Sequence, residues 1–413
     1  MSSRRRDRCT LRTPSVRHAA YGRFMSAETS SSQVTPFRID IPSAALADLH
    51  ERLDRTRWPD DEMPGIGWSQ GVPPAYLKDL AASWRHTYDW RPHEAELNSL
   101  PQFTTEIDGA NLHFIHARAP RPDTLPLVLM HGWPGSVLEH TALVEPLTAD
   151  GRDVVVLSLP GFGFSGPTRA PGWDIVRIAH AGAELMRRLG YDRYALHGSD
   201  WGAMIAREWG RLRPDQVAGI HVTMLLSATA TAEPTEQERA GCTEAEIVRM
   251  RASAARRARN QREEMGYGIL QSTRPQTLGF ALTDSPVGQL AWILEKFKAF
   301  SDCRETPEEV IDRDTLLTNV MLYWLTGTAT SSARLYYETA HAGTGFADAT
   351  EPSFTPTGLA YFPADISVPV RHLAERTDNI VHWTEFSHGG HFPGLETPDL
   401  LLTDLQTFLR NLR

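Results

Sequence analysis

The chain has 413 residues, 41% hydrophobic and 23% charged, enough for one large α/β domain or a few small ones around a sizeable core. That composition excludes wholesale disorder, collagen-like repeats and coiled coil, and no apolar run reaches the roughly 18–20 residues that a membrane span needs. A net charge of −9 argues against nucleic acid as the main partner, and three scattered cysteines (Cys9, Cys242, Cys303) give neither a disulfide framework nor a metal-ligand spacing, so a reducing, cytoplasmic setting fits.

In chain order, Met1–Phe24 carries seven arginines against the single acid Asp7, a net charge of +6, so the remainder carries −15. The segment superficially suggests a transit peptide or basic arm but has no apolar stretch for a secretory signal. The plainer reading starts the protein at Met25 with a polar N-terminus, and residues 1–35 are expected to be a disordered leader. Residues 36–100 form a leading segment with a short helix at Ser43–Leu53, a turn-rich stretch at Trp58–Pro74 and a second helix at Tyr76–Tyr88. Phe103–Ile107, the pair Asp108-Gly109 and Leu112–His116 predict a hairpin.

From Leu125 apolar strands alternate with helices. LPLVLM (125–130) ends at HGWPG, and DVVVLSLP (153–160) ends at GFGFSG. A helix over Asp174–Leu189, a strand over Tyr194–His197, a helix over Ala203–Leu212 and a strand over Val217–Met224 follow. This pattern predicts an α/β fold, a mostly parallel sheet with helices on both faces, whose first part is residues 101–225. Residues 226–345 read as an α-helical lid, too long for a loop. Strands TGLAYF (357–362) and NIVHWTEF (379–386) and a helix at Asp399–Leu412 complete the core over 346–413.

The most informative string is HGSDWG, residues 197–202, after a strand and opening a helix. It is a nucleophile elbow with Asp200 in the place usually held by serine, flanked by Gly198 and Gly202 where the sharp turn leaves no room for Cβ atoms. Ser199 is the rival, but it would need small residues at 197 and 201, which are His197 and Trp201. An N-cap role for Asp200 is the plain structural alternative. An aspartate nucleophile attacks saturated carbon and leaves an alkyl ester, whose hydrolysis needs an activated water and donors for an oxyanion. HGWPGS (131–136) stands where an oxyanion loop belongs, so the backbone N–H groups of Trp133 and Trp201 are the expected donors. His391, in SHGGHF (387–392), is the expected base, with His388 its competitor. An H-x-x-H metal site has no third ligand pattern nearby. Among acids that could orient the base, Asp365 follows strand 357–362 at the catalytic edge, Asp378 precedes the next strand at the opposite edge, and Glu375 reads as solvated. GFGFSG (161–166) matches a dinucleotide fingerprint, but Pro167 and Thr168 stand where its helix should run.

The combination of HGWPGS, HGSDWG, a helical lid and a terminal GGHF resembles the epoxide hydrolases of the microsomal type, within the α/β-hydrolase superfamily. The likeness runs from about Pro36 to the end and includes LHERLDRTRWPD and YDWRPHEAELNSLPQF, which are similar to that family's N-terminal segment. The resemblance implies two lid tyrosines that donate to the epoxide oxygen. Tyr267 and Tyr336 fall in the matching contexts, with Tyr337 the neighbouring rival pointing about 100° away on a helix. It implies hydrolysis of a small apolar epoxide to a vicinal diol through an ester on Asp200, with water as second reactant and no cofactor or metal. No nucleic-acid or membrane partner is expected, and a homodimer is compatible. Two departures stand out: mammalian members carry glutamate where this chain has Asp365, and they have an N-terminal membrane anchor where this chain has a polar, basic leader. A soluble, bacterial-type enzyme is implied, and 39 arginines against three lysines (Lys78, Lys296, Lys298) suit a GC-rich genome. The rivals are a haloalkane-type dehalogenase, which shares the aspartate nucleophile, and a catalytically silent hydrolase fold used as a ligand receptor.

Overall fold

The structure, a computed structural model, describes residues 33–60, 64–230, 232–239, 242–343 and 351–412. The basic leader Met1–Phe24 and Cys9 lie outside the described residues. A short strand β1 (Thr35–Phe37) leads into helices α1 (Ser43–Asp54), α2 (Pro74–His86) and α3 (Trp90–Leu97). The helix expected over Tyr76–Tyr88 is α2, and α3 follows it beyond the expected elements, started by Asp89, whose side chain accepts from the Arg91 N–H. β1 carries no legible alternation and exists by pairing with the next strand.

The hairpin is β2 (Gln102–Ile107) and β3 (Ala110–Ala117), joined through Asp108 and Gly109 at φ 51° and 74°, as an Asp-Gly turn requires. The apolar runs become β4 (Leu127–Met130) and β5 (Val154–Leu157), separated by α4 (Leu138–Ala149). That helix was not expected, since Glu139 and His140 interrupt its buried face and Pro146 lies inside it. Then come α5 (Ile175–Arg188), β6 (Tyr194–Gly198), α6 (Trp201–Leu212) and β7 (Val217–Val222).

Among its described residues the region read as a lid holds α7 (Glu236–Arg239), α8 (Glu244–Glu263), α9 (Gly266–Thr273), α10 (Pro275–Asp284), α11 (Pro286–Phe300), α12 (Arg313–Thr326) and α13 (Ala329–Ala342). The chain returns as β8 (Ser353–Tyr361), α14 (Arg371–Ala374), β9 (Asp378–Glu385), α15 (Pro393–Glu396) and α16 (Pro398–Arg410).

The nine strands form one sheet in the order β1-β2-β3-β5-β4-β6-β7-β8-β9, antiparallel from β1 to β5 and parallel from β5 to β9. Alternate residues of its centre face two cores. Val128, Met130, Val155 and Leu157 pack with Ile178, Leu185 and Ile205 of α5 and α6, while Leu127, Leu129, Val154 and Val156 pack with Leu143 and Leu147 of α4 and Leu405 of α16. This is why the central strands read as unbroken apolar runs: both faces are covered. The leading segment clasps the lid. Trp84 Nε1 lies 3.2 Å from Met321 Sδ and Tyr88 Oη lies 2.9 Å from Thr318 Oγ1. No helix among the described residues is long and apolar enough to cross a membrane.

Candidate active site

The turn from β6 into α6 carries Asp200 at φ 49° and ψ −121°, a left-handed conformation rare for a residue with a side chain. The glycines on either side make it possible: a Cβ on Gly198 would collide with the Gly202 carbonyl, and one on Gly202 with the Met130 carbonyl. Asp200 is therefore lifted from the sheet rather than folded back as a cap, and its side chain makes no capping bond to α6. Ser199 is buried beside it and donates to Glu139 Oε2 at 2.8 Å.

The groups the sequence singles out converge on this carboxylate. Trp133 N–H donates to Asp200 Oδ1 at 2.8 Å from the HGWPGS loop. His391 Nε2 stands 3.3 Å from Asp200 Oδ2, and His391 Nδ1 lies 2.6 Å from Asp365 Oδ1. The side chains of His391 and Asp365 are each 1% exposed, whereas that of Asp200 keeps 13%. Burial alone would drive the imidazole toward neutrality, yet Asp365 and Asp200 outweigh it and hold its pKa well above the ordinary histidine range. Asp378 is spoken for at the far end of β9 by Arg207 (2.7 Å) and Ser227 (2.6 Å), and Glu375 is exposed and paired with Arg371. His388 is exposed and bonded to Ser387, so the H-x-x-H pair is split between solvent and site.

Helices α9 and α13 bring two phenols close to Asp200. Tyr267 on α9 stacks on the Trp133 indole (4.9 Å between centroids), and Tyr336 on α13 meets Trp201 edge-on at 4.6 Å. The two tyrosine rings stand 5.9 Å apart. Burial, with the Asp200 charge adding, raises both phenols above the ordinary tyrosine range, so they stay protonated donors. Tyr337 instead stacks on His341 away from the site. Trp201, at the first position of α6, packs beside Tyr336.

Four features escaped sequence reading. Glu139 on α4 is 2% exposed next to the site, and burial pushes its pKa up to about 8. The Phe300 carbonyl accepts the His391 backbone N–H at 2.9 Å. Asn319 Nδ2 and Tyr323 Oη of α12 donate to the carbonyls of Pro134 and Gly135, at 2.8 and 2.6 Å. Lys296 is buried at 2% exposure with its ammonium over the Tyr267 ring. Only the α12 pair carried a signal, as two polar residues one helical turn apart among apolar ones.

GFGFSG contains a short 3-10 turn at Gly163–Ser165, and no helix directly follows it. One trio of possible metal ligands occurs among the described residues, His221, His382 and Asp404. Hydrogen bonds of 2.8–2.9 Å that Asp404 accepts from both imidazoles account for it.

Comparison with known proteins follows the same line. Residues 34–140 match the family described as Epoxide hydrolase N terminus, and residues 126–241 match the alpha/beta hydrolase fold. A provisionally named epoxide hydrolase of Stigmatella aurantiaca (strain DW4/3-1) is 43% identical over 390 residues, covering 92% of this chain and 86% of that one. Epoxide hydrolase 1 of Oryctolagus cuniculus is 33% identical over 406 residues, covering 91% and 88%. The crystal structure of juvenile hormone epoxide hydrolase from the silkworm Bombyx mori superposes with a TM-score of 0.85 at 29% identity, covering 93% and 96%.

Proposed function

Because the chain belongs to the epoxide hydrolases of the microsomal type and has their α/β-hydrolase fold, we propose that Asp200, His391, Asp365, Tyr267 and Tyr336 perform its reaction, the addition of water to an epoxide to give a vicinal diol. Asp200 attacks one epoxide carbon, the carbon–oxygen bond breaks, and the electron pair left on oxygen takes a proton from a lid phenol. His391, held by Asp365, then takes a proton from water as the hydroxide adds to the ester carbonyl. The Trp133 and Trp201 amides are the proposed donors to the oxyanion, and the 2.8 Å bond from Trp133 to the nucleophile supports that role. The tetrahedral centre collapses, His391 returns its proton to the departing diol oxygen, and the proton left on Asp200 restores the phenol. One hydrogen of the water thus ends on a product hydroxyl, and the other replaces the proton that the phenol gave to the first hydroxyl.

The observation that carries this reading is the single chain of contacts Asp365–His391–Asp200–Trp133 beneath two tyrosines. It also tunes itself. Esterification removes the Asp200 charge, one of two that raise the His391 pKa, so the imidazole releases its resting proton to solvent. It is then the neutral base that the water step needs, and it regains the proton when the Asp200 carboxylate is restored. The aromatic side chains around Asp200 suit an apolar epoxide, and we place the enzyme in a bacterial cytoplasm, with detoxification as its role. Its working units are residues 36–100, the lid at 226–345, and the core segments 101–225 and 346–413.

A single turnover in water carrying isotopically heavy oxygen tests the chemistry. Diol from the first turnover should lack the label while the Asp200 peptide acquires it. Label in the first-turnover diol would mean direct attack by water and overturn the ester mechanism.

A further inference from the structure

A buried ammonium is costly unless its charge is matched, and the lid buries one. Lys296, on α11, is the buried lysine or arginine among the described residues of the lid, in a chain with 39 arginines and three lysines. Its Nζ donates to the Glu264 carbonyl at 3.1 Å and pairs with Glu264 Oε2 at 3.1 Å and Glu295 Oε1 at 2.8 Å. It also rests 5.0 Å from the centre of the Tyr267 ring and 5.4 Å from that of Phe300. Glu264 is the residue at which α8 gives way to α9, and Tyr267 is the second residue of α9. The lysine therefore fastens the backbone joint just before Tyr267 and holds the tyrosine ring by a cation–π contact. The Trp133 indole stacked on the same ring completes its constraint.

The charge has a second consequence. As the phenol gives its proton to the opening epoxide, negative charge develops on its oxygen, and the carboxylates of Glu264 and Glu295 oppose this. An ammonium paired to both offsets them. A small point charge fits between two ring faces and a carbonyl, whereas a guanidinium is a broad planar fork.

We infer that Lys296 is the positioning residue for the ring-opening acid Tyr267, fixing its ring and offsetting the two carboxylates beside it. The inference rests on the proposed role of Tyr267 and concerns ring opening alone.

The test is a double-mutant cycle in the His391→Gln background, where the ester persists and the rate of its formation reads ring opening by itself. Lys296→Met should slow ester formation about tenfold or more, the scale that misplacement of a reacting group commands. The combination with Tyr267→Phe should be no slower than Tyr267→Phe alone, because the lysine acts through the phenol. In the otherwise wild-type enzyme, hydrolysis of the formed ester should keep its rate. Lys296→Gln, which retains a donor for the Glu264 carbonyl without the charge, provides a second variant should the methionine variant fail to fold. If the losses multiply, or if Lys296→Met and Lys296→Gln leave ester formation unchanged while Tyr267→Phe slows it, the positioning role is overturned and the role of Tyr267 stands. If Tyr267→Phe has no effect, the role of Tyr267 falls and this inference with it.

Discussion

Asp200 holds its carboxylate in a conformation that few residues with side chains adopt, and its neighbours supply the reason it stays there. The Trp133 N–H holds one oxygen and His391 faces the other. Behind it, Ser199 is fastened to Glu139, a buried acid whose pKa burial raises to about 8. An unfolded glutamate ionises near pH 4.5, so between that pH and about 8 the folded protein binds a proton the unfolded chain does not. Stability is therefore highest below pH 4.5 as far as this group is concerned and is lost as pH rises through 8. Glu139→Gln, which still accepts from Ser199, should flatten the fall in melting temperature between pH 5 and pH 8. An unchanged slope would mean that Glu139 is already ionised. At this scale the sequence was legible where chemistry demanded a pattern: Asp200 between glycines, His391 after the last strand, Asp365 at the correct edge. Glu139 and Lys296 were not, because a lone acid or lysine on an apolar helix face acquires meaning only from what folds against it.

The loop HGWPGS is aimed by elements far from it in the chain. Asn319 and Tyr323, one turn apart on α12, donate to the carbonyls of Pro134 and Gly135, so α12 supports the loop proposed to hold the oxyanion. α8 grips the acid loop similarly, with Arg256 Nη1 donating to the Asp365 carbonyl at 2.5 Å. Tyr323→Phe leaves the Gly135 carbonyl without its buried donor, so it should cost about 1–3 kcal/mol of stability and lower the turnover number more than the apparent affinity. Equilibrium denaturation with steady-state kinetics checks both, and a variant indistinguishable from wild type would show that the loop holds its own shape. The strands of the sheet centre were readable because burial on both faces imposes an apolar run, and α5 because its buried face repeats at helical spacing. β1 and α4 were not, one existing only through its partner strand and the other burying polar residues for the sake of the site.

Across the whole molecule, the leading segment, lid and sheet interlock around one buried constellation. Trp84 of α2 is fully buried against Met321 of α12, and Arg313 reaches back to Asp79 and Ser83. Trp84→Ala should cost about 3–5 kcal/mol, as truncation of a large core side chain does, and should unfold lid and core in one transition. An early, separate loss of lid structure would show that the leading segment stabilises the lid alone. The central claim is that Asp200 is a nucleophile whose ester His391 must clear. Intact-protein mass spectrometry of His391→Gln mixed with a small aryl epoxide tests it most directly. The expected result is a persistent mass gain equal to the whole epoxide, mapped to the peptide containing Asp200. A gain elsewhere, or none while wild type turns the same epoxide over, would contradict it.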